Sequence, residues 1–166
     1  RRSKSRFWSA KVKGNNIKVV DGAMIAENDS LWARLTDDGM TAFIFDEFES
    51  LPNAYKFLKA RVNDNAVLVD GQGNVFFQEL NLRDIEAHNC EVGPMYELIG
   101  EEGVGYYVHG MEEDKVELVF DDLECGYFGY CVKKGRKWGL IDYDRNLVLD
   151  FKYRLKKVQD YDPYDE

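Results

Sequence analysis

Residues that usually mark an active site are scarce: 166 positions hold two His, three Cys and three Pro. No run of 18 or more apolar residues occurs, so no membrane-crossing helix is expected. The opening, Arg1 to Arg6, is basic and polar and lacks the apolar block of a signal peptide. The chain does not begin with Met, and the expectation is a domain cut from a longer protein or a processed product. An odd cysteine count in a chain that needs no staples fits a reducing compartment. Cys90, Cys125 and Cys131 are therefore read as free thiols and the location as cytoplasmic, with one bridge plus a leftover thiol as the alternative. Positive charge is also short, at 22 Lys and Arg against 31 Asp and Glu, a net of −9. That balance argues against a nucleic-acid backbone binder and favours another protein as partner, possibly a basic one.

What the chain does have is apolar content, about 45%, enough to bury one core. The reading is a basic tail over 1–6, a single domain over 7–158 and an acidic tail over 159–166. Inside the domain a phrase of three apolar residues closed by an acid or amide recurs five times. It runs Met24 to Glu27, Phe43 to Asp46, Val75 to Gln78, Leu118 to Asp121 and Leu147 to Asp150. The spacing averages about 31 residues, a period typical of stacked repeats. Two turns align without a gap: Asp70-Gly71-Gln72-Gly73-Asn74 and Asp142-Tyr143-Asp144-Arg145-Asn146.

Short apolar and β-branched runs bounded by Asp, Asn and Gly describe strands joined by hairpins, and long segments of helical period are too few for a bundle. The expected fold is all-β and mainly antiparallel, with about five hairpin units in a propeller-like or rolled arrangement. Ser50 to Leu58 is the one stretch that reads as a helical turn or two, with Ser50 as cap and Pro52 near the start.

The stretch from Gly126 through Lys133-Lys134-Gly135-Arg136-Lys137-Trp138-Gly139-Leu140-Ile141-Asp142 and on to Leu147-Val148-Leu149 and Lys152-Tyr153 resembles the WG-repeat, or KWG-repeat, family. The likeness is clear over residues 126–158 and degenerate elsewhere, where Ile17-Lys18, Ala66-Val67 and Val104-Gly105 stand in for Trp138-Gly139. The resemblance implies a β-rich repeat scaffold found widely in bacterial proteins, commonly an appended interaction module without shared catalytic residues. Trp138 beside Gly139 reads as an apolar anchor next to a residue whose missing Cβ lets another strand approach.

Candidate chemistry is thin. Asp142, Asp144 and Asn146 alternate like the start of a calcium loop, but Leu147 and Tyr153 replace the Gly and Glu that such a loop requires, so turn residues bonding their own backbone are the better reading. His88, Cys90, His109, Cys125 and Cys131 lack the two-residue knuckles of a zinc site, and no metal or other cofactor is expected. Gly100, Gly103 and Gly105 are in the wrong order for a phosphate cradle and enclose two acids. Paired carboxylates such as Asp37-Asp38 and Asp121-Asp122 fall in turns, and no catalytic residue is assigned. Charge is uneven: Lys133, Lys134, Arg136, Lys137, Arg154, Lys156 and Lys157 crowd the last unit, ahead of an acidic, Tyr-bearing tail. Tyr161, Asp162, Tyr164 and Asp165 of that tail are the candidate protein-binding residues. The expected function is a non-enzymatic protein-binding module, with an acidic bacterial immunity protein, or a carbohydrate-binding or hydrolase domain, as alternatives.

Overall fold

The computed structural model describes residues 16–165. They form four antiparallel sheets, each a meander in chain order. The first holds β1 (Ile17–Val20), β2 (Ala23–Asn28), β3 (Leu31–Thr36) and β4 (Gly39–Met40). The second holds β5 (Glu47–Glu49), β6 (Leu58–Val62), β7 (Asn65–Val69) and β8 (Val75–Phe76). The third comprises β9 (Asp84–Cys90), β10 (Gly93–Ile99) and β11 (Val104–Val108). The fourth comprises β12 (Asp122–Cys125), β13 (Gly129–Lys134), β14 (Lys137–Asp142) and β15 (Leu147–Tyr153), followed by α1 (Leu155–Gln159), the one α-helix among the described residues. The all-β, mainly antiparallel expectation holds. The chain divides into two compact units, Arg1–Ile85 and Glu86–Glu166.

Turn chemistry sets the registers. Asp21-Gly22, Asp29-Ser30 and Asn63-Asp64 each place two consecutive residues at positive φ, the geometry whose twist matches a two-residue hairpin. The two aligned turns share the hydrogen bonds donated by their backbone amides. The Asp70 carboxylate accepts from the Gln72 and Asn74 amides, and the Asp142 carboxylate accepts from those of Asp144 and Asn146. Gly73 and Arg145 occupy matching left-handed positions, at φ 91° and 68°.

Each sheet is left by a segment that pairs back on its own third strand. The partners are Trp32 with Phe45, Ala66 with Leu82, Val104 with Phe120 and Trp138 with Tyr153. Glycine makes room for two of these returns: a Cβ on Gly139 would sit 2.5 Å from the Leu149 carbonyl oxygen, and one on Gly105 would collide with that of Glu117. Three residues after the first three returns come Phe48, Ile85 and Leu123, all buried.

This arrangement corrects the unit count. The phrases at Phe43, Val75, Leu118 and Leu147 lie on or lead into departing segments, whereas Met24 to Glu27 lies on the inner strand β2. An inner strand buried on both faces has the same apolar composition as a departing one, so composition split the first sheet in two. The position matching Trp138-Gly139 in that sheet is accordingly Trp32-Ala33 and not Ile17-Lys18. Ser50 to Leu58 forms no helix; it makes two turns in which Asn53 and Tyr55 adopt left-handed φ.

In the first unit the core gathers Ile25, Phe45, Phe48, Leu58, Val67 and Val69. Lys59, only 8% exposed, is bonded to Asp84 at 2.8 Å. In the second unit Trp138 packs with Cys131, Leu140 and Val158, so the ring is an anchor as expected. The cysteines depart from expectation: Cys90 and Cys125 form a disulfide between β9 and β12, and only the buried Cys131 is free. Their Cα atoms are 5.4 Å apart although 35 residues separate them, a proximity that only the sheet packing creates. Free thiols were the premise for a reducing compartment, and that premise is gone. Among the described residues no helix is long and apolar enough to cross a membrane.

Candidate functional site

An open cleft of about 390 Å³ in the second unit is lined by Tyr106, Met111, Lys115, Glu117, Phe120, Ile141 and Arg145. Three local features build it. Strand β11 carries Tyr106, whose ring packs 5.1 Å from that of Tyr130. Beyond β11 the chain turns at Gly110 (φ 87°), makes a 3-10 turn over Glu113–Lys115 and returns beside β11 until Phe120 pairs with Val104. Gly103 and Gly105 allow that close return, which sets Glu117 and Phe120 on the cleft wall. The opposite wall is the end of β14, with Ile141, and the Asp142–Asn146 turn that carries Arg145.

Arg145 is the most informative lining residue. Its position is left-handed, a conformation that costs an L-residue on the order of 1 kcal/mol and that glycine adopts freely. The twin turn uses Gly73 there, but at the cleft the chain places an arginine in the same left-handed region.

Two aromatic rings, Tyr106 and Phe120, line the cleft, and Tyr130 packs behind Tyr106. Burial pushes the Tyr106 hydroxyl above its ordinary pKa against the opposing pull of Arg145. Burial likewise carries Tyr130 up to about 12, and its ring meets Tyr143 edge-on at 5.3 Å. A second aromatic pair, Phe120 and Phe151, lies 6.3 Å apart, with the Lys134 ammonium 5.7 and 5.1 Å from the two ring centres. Leu147, half exposed, stands opposite Ile141 in the β14–β15 ladder, so apolar surface continues beyond the rim. The lining offers ring faces, an aliphatic side, two cations and one carboxylate, with no imidazole or thiol. It is suited to holding an apolar group beside an anion.

The tail residues lie elsewhere in this unit. Tyr161 is half-buried against the Trp138 core, so part of the tail is draped on the fold. Asp162 accepts from the Tyr164 amide and thereby shapes a turn, while Tyr164, 84% exposed, sets its ring edge-on to Phe128. Asp165 is exposed and its amide is bonded to the Asp162 carbonyl. None of the four lines the cleft. Sequence reasoning missed the cleft because its walls come from positions up to 39 apart; the legible trace was Arg145 aligned with Gly73.

A hollow of about 330 Å³ also opens over the disulfide, lined in part by Tyr127, Lys156 and Gln159. The one buried, unpartnered side-chain nitrogen among the described residues, Arg34 Nε, lies in the first unit. Comparison with protein-family models, with curated proteins and with solved structures finds no match to the chain.

Proposed function

We propose that the chain is a non-enzymatic protein-binding module on a WG-like β-repeat scaffold, and that the aromatic cleft of its second unit receives a peptide segment carrying an apolar side chain next to an acid. The supporting observation is Arg145, held at a left-handed position beside Tyr106 and Phe120 where the twin turn has glycine. Aromatic rings and Arg are the side chains that dominate binding energy at protein interfaces. The whole chain is acidic, yet residues 126–158 carry nine Lys and Arg against three Asp. A docked segment meets the local charge, and at this cleft that charge favours an acidic partner over the basic one suggested by the net balance. Panning a random-peptide display library on the folded protein tests the reading. Enriched peptides should pair an aromatic or aliphatic residue with Asp or Glu and lose binding when Phe120 becomes Ala. An unenriched library, or enriched peptides indifferent to Phe120→Ala, would refute it.

A further inference from the structure

A second cluster in the same unit, independent of the cleft, has a different chemistry. Glu86 and His88 alternate along β9 and so share a face, and the neighbouring strand β10 brings Glu97 to them. One ligand atom from each of the three lies within 4.8 Å of the others, and His88 Nε2 is 2.8 Å from Glu97 Oε1. We propose that Glu86, His88 and Glu97 form a binding site for a divalent transition-metal ion of the zinc class.

The charge balance of the cluster favours a cation. Glu97 is buried and Glu86 is a like charge beside it, an arrangement that is unfavourable between neighbouring strands. Among the described residues no Lys or Arg pairs with either carboxylate; the ion-pair partner of Glu97 is the imidazole itself. Negative potential is therefore concentrated where the fold supplies no fixed cation.

Geometry and donor type narrow the ion. Tetrahedral zinc with bonds of about 2.0–2.2 Å places its donors roughly 3.3–3.6 Å apart, within reach of small rotations of these side chains. An imidazole nitrogen with carboxylate oxygens suits zinc and its neighbours, whereas calcium and magnesium favour oxygen alone. The Cys90–Cys125 disulfide, two residues past His88, fixes the end of β9, so the donors are held before the ion arrives. Cysteine knuckle spacing gave no hint of this site because its other donors are strand carboxylates, and Cys90 is already in the disulfide.

The test uses the tag-free, unreduced chain, whose only other histidine is His109. Zinc should raise the thermal midpoint, by a shift that grows with the logarithm of its concentration above Kd, calcium and magnesium should not, and cobalt should give visible absorption bands of low-symmetry coordination. His88→Ala should abolish both signals and His109→Ala should leave them. Glu86→Gln, at an exposed position that the fold does not depend on, should weaken zinc binding about tenfold or more. No zinc-dependent shift in the wild-type protein up to millimolar concentration, or a shift unchanged in Glu86→Gln and His88→Ala, would overturn the proposal.

Discussion

Removing the Cys90–Cys125 bridge, by changing both residues to Ala with Cys131 kept, should be the most costly change that leaves the core side chains in place. The bond closes a loop across a separation of 35 residues. Loop-closure entropy for that length gives about 4 kcal/mol of stabilisation at about 25 °C. For a urea slope of about 2 kcal/mol/M the unfolding midpoint should fall by about 2 M, and the slope should be unchanged or higher, since the unbridged unfolded chain is less compact. Tryptophan fluorescence reports the transition, since Trp138 is in the core beside this linkage's own sheet. Alkylation supplies a check before any unfolding. The Cys131 thiol is buried and pushed up to about 12, so unreduced native protein should take no label and unreduced unfolded protein one. A loss below about 1 kcal/mol, or three labelled thiols in unreduced unfolded protein, would refute the reasoning.

Trp138→Ala should cost about 3–5 kcal/mol in the same assay, because the ring is enclosed by Cys131, Leu140 and Val158; a cost below about 1 kcal/mol would assign it to the surface. Acid should destabilise the first unit through Asp70 and Asp84. Burial pushes both carboxyls up, but bonds from Asn74 and Gln72 to Asp70, and from Lys59 and the Ile85 amide to Asp84, outweigh it and leave both below their ordinary value. Their contribution is therefore complete above the unfolded carboxyl range of about 3.9 and disappears as pH falls through the lower folded values. The part of the urea midpoint that these two carboxyls supply should be unchanged from neutrality to about pH 5 and drop below about pH 4, and Asp70→Asn should flatten that drop.

Local chemistry was legible in the sequence where a short stretch determines it. The Asp70 and Asp142 turns are made by residues that bond their own backbone within five positions, so their alignment carried through to the same bonds and the same left-handed fourth residue. Trp138-Gly139 was legible for a similar reason, since the missing Cβ is visible in the sequence and the approaching Leu149 carbonyl follows from it. What depends on distant partners was not. Met24 to Glu27 resembles a departing strand until its neighbours β1 and β3 are known. Cys90 and Cys125, the cleft walls, and Glu97 beside His88 all depend on which strand lies next to which. The charge of the last sheet was visible, but its relation to the rings of Phe120 and Phe151 required the fold.

Arg145→Gly separates a binding role from a structural one most directly. Glycine relieves the left-handed φ of 68°, as Gly73 does in the twin turn, so stability should be unchanged or rise by up to about 1 kcal/mol. Affinity for a peptide selected on the wild-type cleft should fall about 10- to 100-fold, the worth of a hydrogen bond to a charged group. A variant that binds that peptide as tightly as the wild type would contradict the account.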